Sequence, residues 1–498
     1  MNENRTTRKY KTALIIVSAL LISALMAQGM YWTIARTQSG QTAHEEHTAQ
    51  ADQTAQTEQA VQADQTAQAD QTAQEDQAAS DLAPGSRGSL MHEGYTLEQV
   101  VVMSRHNIRS PLSGKGSVLD TVTPHDWFDW SSDPSELSLR GGAAETIMGQ
   151  YFRKWLEAEG LFPENYHPEE GAVRFYSNSK QRTIATAEYF KAGLLPTANL
   201  QQVEYKVAFD EMDPVFKPQI TFLNDAYAED VEAQIEELYE DDFREIADNF
   251  ELLSDVIDLE ESEAYQSGEV TGFSTDDFDL VLDLDKEPGM SGSFKTACSI
   301  SDALVLQYYE EADAKEAAFG HELTQDQWGE ISEIKDLYND VLFSTPLLAY
   351  NVEHPILQEI RKELTTEGRE FTFLCGHDSN ISGILSCLHV SDYSLPDSIE
   401  STTPIGVKIV FGRWRAPDGK EVMSVDLVHS SAEQLRSLSL MDLENPPCIV
   451  PLQLEGLEKN EDGLYDAEAV LDRLDEAIGE YDRIMDKYEA EEIIDDAA

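Results

Sequence analysis

The alternation of apolar and polar positions divides the chain into three zones. The first is an uncharged run from Thr12 to Ala35, almost wholly apolar or small as far as Ala27, behind a basic flank of Arg5, Arg8, Lys9 and Lys11. The second, residues 37–93, has almost no aromatic or branched apolar residues and repeats Ala-Asp-Gln-Thr-Ala-Gln from Ala51, Ala63 and Ala69. Structural periodicity begins in the third zone. Val100-Val101-Val102-Met103 is a continuous apolar, β-branched run and predicts a buried strand. Val173–Tyr176 and Phe371–Cys375 predict two more, with late strands at Gly406–Phe411 and Val422–Val428. Between them the spacing becomes helical. Ile147, Met148, Tyr151, Trp155 and Leu156 share one face of a helix within 138–160, and Ile184, Ala187 and Phe190 share another. Ile381, Ile384, Leu385 and Leu388 mark a third. Residues 225–285 are acidic with Ile235, Leu238, Phe243, Ile246 and Leu253 at helical spacing, and an acidic helix covers roughly 466–488.

Strands alternating with helices predict an α/β fold, with loops at the carboxyl ends of the strands positioned to meet a ligand. The folded domain is expected over 94–498, with 210–290 inserted as a helical cap. Residues 1–36 predict a secretory signal peptide or an uncleaved transmembrane anchor. In either case the basic flank keeps the N-terminus inside and sends the remainder out of the cytoplasm. Leu25 stands where a cut after Ala27 prefers a small residue, which tilts the expectation toward an anchor. Residues 37–93 cannot bury enough surface to fold and predict a disordered stalk.

Charge narrows the partners. Asp and Glu number 95 against 35 Lys and Arg, a formal net charge of -60. That excludes a nucleic-acid partner, which needs a basic face, and an anionic membrane surface. Membrane contact is expected only through the N-terminal segment. Cys298, Cys375, Cys387 and Cys448 are scattered, with no Cys-x-x-Cys pair and no histidine at ligand spacing, so no zinc site is indicated. One or two disulfides are open possibilities.

The candidate chemistry lies where the strands end. After the first comes Arg105-His106-Asn107-Ile108-Arg109-Ser110-Pro111. Two guanidiniums can grip phosphate oxygens in fork geometry, and a neutral imidazole between them can attack phosphorus. The plainer alternative is a structural histidine with two solvated arginines. After the second comes Ser177-Asn178-Ser179-Lys180-Gln181-Arg182 at a helix start, where amides and dipole favour an anion. A solvated first-turn arginine is the alternative there. After the third comes Gly376-His377-Asp378-Ser379-Asn380, which could equally be a helix cap.

Arg-His-x-x-Arg-x-Pro early, with Gly-His-Asp late, resembles the histidine acid phosphatases. Met103–Pro111, Ser179–Thr183, Met212-Asp213-Pro214, Glu287-Pro288-Gly289 and Thr403-Pro404-Ile405-Gly406 extend the match over about 95–471. Asn107, where most phytases of the family carry glycine, is similar to the glucose-1-phosphatase branch. The resemblance implies a three-layer αβα core with a central, mostly parallel sheet, a helical cap, and catalysis through a phosphohistidine. His106 would be the nucleophile. Arg105, Arg109, Arg182 and His377 would bind phosphate, and Asp378 would protonate the leaving oxygen. Glu287 would face the sugar end of the substrate from the cap, unless it is a solvated loop glutamate. No metal or other cofactor is called for, because arginines can supply the charge stabilisation. The expected activity is extracytoplasmic hydrolysis of small phosphate monoesters, sugar phosphates resembling glucose 1-phosphate or inositol phosphates, at acidic pH. Alternatives are a phytase proper, a mutase of the wider superfamily, and an inactive surface binding module. A dead scaffold should have lost His106, Arg109 or Asp378, and all three are present.

Overall fold

The computed structural model describes residues 88–495, apart from 114–115, 199–201 and 277. The expected signal or anchor segment, and all but the end of the expected stalk, lie outside the described residues. The described residues belong to one compact unit. Residues ahead of Gly94 pack into it: Leu90 is buried, and its carbonyl accepts the Trp155 indole N–H at 3.1 Å. Among the described residues no helix is long and apolar enough to cross a membrane.

The strands are β1 (Thr96–Arg105), β2 (Val173–Ser177), β3 (Leu280–Val281), β4 (Gly289–Met290), β5 (Phe371–Gly376), β6 (Lys408–Arg415), β7 (Glu421–His429), β8 (Cys448–Pro451) and β9 (Tyr465–Asp466). The longer helices are α1 (Leu139–Ala158), α2 (Gln181–Leu194), α3 (Asp225–Glu245), α4 (Ala247–Val256), α5 (Gly292–Glu310), α6 (Gln325–Phe343), α7 (Pro346–Leu364), α8 (Asp378–Cys387) and α9 (Ala467–Asp495).

The run Val100–Met103 is apolar throughout because both faces of β1 are covered. Val101 and Met103 enter one core cluster, Val100 and Val102 the other. On the second face lie α1 and α2, through Phe152, Trp155 and Phe190. On the first lie α7 and α8, through Ile356, Ile360, Ile381 and Ile384. Ser138 begins α1, its side chain accepting the Gly141 N–H at 2.9 Å.

The main sheet runs β2-β5-β1-β6-β7-β8, with β9 also on β7. A mostly parallel sheet is the expectation. Parallel pairing joins β2 to β5 and β5 to β1, the three strands that feed the candidate loops, while β6, β7, β8 and β9 pair antiparallel. The reason is connection length. β6 and β7 are joined by the tight turn 416–420, and a short turn returns the chain antiparallel. The acidic stretch is helical over α3, α4, a 3-10 turn at Leu259–Glu261 and a short helix at Glu263–Ser267; the chain then reaches the β3–β4 ribbon. Val231, Phe250 and Leu253 of α3 and α4 share one continuous apolar cluster with α5 and α6.

Candidate active site

Register places the three loops at one level. Arg105 pairs with Gly376, and Cys375 pairs with both Ser104 and Ser177, so β1, β5 and β2 end side by side. The His106 N–H donates to the Gly376 carbonyl at 3.1 Å, and the His106 carbonyl accepts the Gly406 N–H at 3.2 Å. Two glycines permit this closeness. A Cβ on Gly141 would lie 2.3 Å from the Ile108 carbonyl oxygen, and Gly406 has φ of +71° against the Asn107 side chain.

Beyond the strand ends the loops line a cavity of ≈ 670 Å³. His106, Arg109, Arg182, His377 and Asp378 line it together with Lys180, Met212, Glu287, Lys295, Ser299, Asp302 and Asn339. The His106 Nδ1 is 2.9 Å from the Asn107 carbonyl oxygen, which can only accept, so the ring proton sits on Nδ1. Among the described residues no hydrogen bond reaches Nε2. Burial, then Arg182, Arg109, His377 and Arg105, holds the His106 pKa well below the usual imidazole value. The ring is therefore neutral, with its free lone pair on Nε2.

His377 carries its proton on the nitrogen nearer Arg182. The Asn178 side-chain oxygen accepts the Ser179 and Asp213 N–H groups at 2.7 and 2.9 Å, which turns its amide nitrogen toward His377 Nε2 at 2.6 Å. His377 Nε2 is thus an acceptor and Nδ1 a donor. Nδ1 lies 3.5 Å from Arg182 Nη2, and two donors this close suit a shared anion. Burial, and then Arg182, lowers the His377 pKa well below normal. Burial and repulsion from Arg109 pull Arg182 down to about 10, still a cation.

Arg105 departs from the other three. It is 1% exposed, and its charge is already shared between two carboxylates. Its guanidinium pairs with Asp378 and with Glu400, each at 3.0 Å, and donates to the Thr403 carbonyl. Its contact is therefore with the candidate acid. Arg109 reaches both oxygens of Asp302, at 3.2 and 3.1 Å. Asp378 is the first residue of α8 and not its cap, the cap position belonging to His377. Burial raises the Asp378 pKa, but the neighbouring guanidiniums, Arg105 first and then Arg109, outweigh it, and the carboxyl stays ionised well below the usual range. Glu287 stands on the rim beside Pro288 and Gly289. The residue is exposed, but partial desolvation at the cavity mouth pushes its carboxyl up, with Lys217 and Arg182 pulling the other way.

Several supporting residues carry no sequence signal of their own. Asp302, Glu400 and Lys335 lie in stretches without a motif. Glu145 and Lys408, both fully buried, pair at 2.9 Å, and Glu145 accepts the Asn107 side-chain N–H at 2.8 Å, steadying the loop that holds His106. Cys298, Cys375 and Cys387 are free thiols.

A neutral, oriented imidazole beside two guanidiniums and a histidine N–H defines a site for phosphoryl transfer. Residues 96–430 match the histidine phosphatase superfamily (branch 2), and the chain belongs to that family as a histidine acid phosphatase. It is similar to the glucose-1-phosphatase of Salmonella typhimurium (strain LT2), 35% identical over 379 residues, covering 74% of this chain and 90% of that protein. It is similar to the glucose-1-phosphatase of Providencia rettgeri at 34% identity over 388 residues, 77% of this chain and 92% of that one. The solved structure of the phytase from Citrobacter braakii superposes with a TM-score of 0.70 at 26% identity, covering 78% of this chain and 98% of that chain.

Proposed function

We propose that this chain is an extracytoplasmic phosphomonoesterase that hydrolyses sugar phosphates of the glucose 1-phosphate type through a phosphohistidine. The observation that carries the reading is the His106 tautomer, with Nδ1 tied to the Asn107 carbonyl and Nε2 left for phosphorus beside Arg109, Arg182 and His377. At acidic pH the ester arrives as a monoanion. Its proton passes to Asp378 as the cations take up the phosphoryl charge, which raises the carboxyl's proton affinity. His106 Nε2 then bonds to phosphorus, the P–O bond to the alcohol breaks, and Asp378 returns the proton to the leaving oxygen. Water attacks the phosphohistidine in the second step, giving its proton to Asp378 and freeing His106. The basic and apolar N-terminus supports the location outside the cytoplasm.

Three of the cations on the cavity wall already have carboxylate partners. Arg109 is shared with Asp302, Lys335 with Asp336 and Glu400, and Lys180 with Asp210. The remaining wall holds Glu287, Asp302, Asn339 and Lys295; these groups bind hydroxyls, and the two carboxylates repel further phosphates. Residues 210–290 act as the cap in this reading, because Met212 and Glu287–Gly289 close the cavity over the site. The second reading, a phytase, has the Citrobacter braakii likeness in its favour. Values of kcat/KM for glucose 1-phosphate and inositol hexakisphosphate separate the two. The sugar phosphate should be preferred. A preference for the inositol ester would establish the phytase, and phosphate binding without turnover of any ester would establish a binding module.

A further inference from the structure

Glu400 lies in the loop ahead of β6 and is 1% exposed. Its Oε1 accepts from Arg105 Nη1 at 3.0 Å and from Lys335 Nζ at 2.9 Å. Its Oε2 accepts the Ile405 N–H at 2.8 Å and the Tyr309 O–H at 3.2 Å. Lys335 also pairs with Asp336 at 2.6 Å, and the other Asp336 oxygen accepts the Ser401 N–H and O–H at 2.8 and 2.9 Å. At the far end Arg105 Nη2 meets Asp378 at 3.0 Å. The charges of Asp336, Lys335, Glu400, Arg105 and Asp378 thus alternate along a chain of contacts, with Asp336, Lys335 and Asp378 all touching the cavity.

We infer that Glu400 is a positioning residue for the general acid: it shares the Arg105 guanidinium with Asp378 and so lets Asp378 hold a proton once the ester is bound. The inference rests on the reading of Asp378 as that acid. Arg109, Arg182 and His377 face the cavity and are engaged by the phosphoryl group. Among the described residues Arg105 is the cation paired directly with Asp378, so it bears most on the Asp378 proton. Facing Asp378 are Arg105 from β1, His106 and Arg109 from the loop after it, Arg182 from α2, His377 from its own turn and Glu287 from the rim. Facing Glu400 are Arg105, Lys335 of α6, Tyr309 of α5 and, further off, His429 of β7. In so buried a setting a unit charge a few ångströms away shifts a carboxyl by a unit or more of pKa. Without the Glu400 charge, Arg105 and Lys335 would hold Asp378 ionised through the acidic range. Without Lys335, Glu400 would neutralise Arg105 more fully and Asp378 would keep its proton to higher pH. A buried carboxylate of this kind adds little net stability over an apolar replacement, so its distinctive effect is electrostatic.

The test measures kcat and kcat/KM against pH for p-nitrophenyl phosphate, which has a good leaving group, and for glucose 6-phosphate, an alkyl ester with a poor one. The variants are Glu400→Gln, Glu400→Asp, Lys335→Met and, as reference, Asp378→Asn. Glu400→Gln should lose about tenfold on the alkyl ester and much less on the nitrophenyl ester, and the alkaline limb of its kcat profile should move down by about one pH unit. Glu400→Asp should recover part of both, and Lys335→Met should move the limb up. Equal losses of Glu400→Gln on the two esters, or an unmoved limb, overturn the inference while Asp378→Asn keeps its leaving-group dependence. If Asp378→Asn shows no such dependence, the general-acid reading itself has failed and the inference falls with it. Thermal unfolding reports whether Glu400→Gln folds; if it does not, an unmoved limb in Lys335→Met overturns the inference alone.

Discussion

The floor of the cavity and its rim hold their side chains in different ways. On the floor, His106, Arg109 and His377 are buried, and each is placed by backbone that the β1–β5–β2 register sets. The two histidines have one nitrogen committed, His106 to a carbonyl and His377 to the Asn178 amide. On the rim, Glu287 and Lys295 are exposed, and they come from the turn ahead of β4 and the first turn of α5. A floor residue cannot change without leaving a buried donor or acceptor unpaired, which costs about 1–3 kcal/mol per group. A rim residue can change with water taking its place. On the proposed reading the floor defines the reaction, and the rim selects among esters.

The sharpest way to break this contrast is His106→Ala. Turnover should fall by about 10⁵–10⁶-fold, the scale for a removed nucleophile, with the fold retained. Acid-labile phosphate still trapped on the variant would move the nucleophile elsewhere. Arg109→Lys comes next. Lysine keeps the charge but not the fork, so kcat/KM should drop by about 10²–10³-fold; an unchanged value would place Arg109 outside the reaction.

Glu353 of α7 sharpens the picture from behind the floor. It accepts from Asn380 at 3.0 Å, and Asn380 accepts the His377 N–H at 3.1 Å. Burial pushes the Glu353 carboxyl up to about 8, with the Asn380 hydrogen bond pulling the other way. The folded value lies above the unfolded one, so this contribution is whole below the ordinary carboxylate range and is lost as pH rises through about 8. Its slope reaches at most about 1.4 kcal/mol per pH unit. Tm should decline over that window in the native chain and decline less in Glu353→Gln; parallel curves would show that Glu353 does not titrate there. The smallest effect belongs to the rim. Glu287→Gln should raise the inositol hexakisphosphate to glucose 1-phosphate ratio of kcat/KM by about fivefold, the scale of one charge near 4 Å in a watery setting. A constant ratio would remove Glu287 from selectivity.

The amino-acid sequence determined the strands that carry the site and the loops that follow them. Val100–Met103 is apolar at every position because each side chain meets one of two cores, and such a run is visible without a fold. The Arg-His and Gly-His-Asp loops were legible for the same reason, since local chemistry and local pattern coincide there. The helices α5, α6 and α7 were not. α7 carries Pro355 in its interior, where the Asn351 carbonyl loses its usual partner and lies 3.1 Å from His354 Nδ1 instead. Tertiary structure alone decided that Arg105 meets both Asp378 and Glu400, that Asp302 shares Arg109, and that Lys335 meets Glu400. Asp302 is 193 residues from Arg109, and Glu400 is 295 from Arg105. Charges so far apart in the chain leave no mark on its periodicity. They meet only when the sheet register and the helical layer bring them within hydrogen-bond reach, and that meeting sets which carboxylate holds a proton.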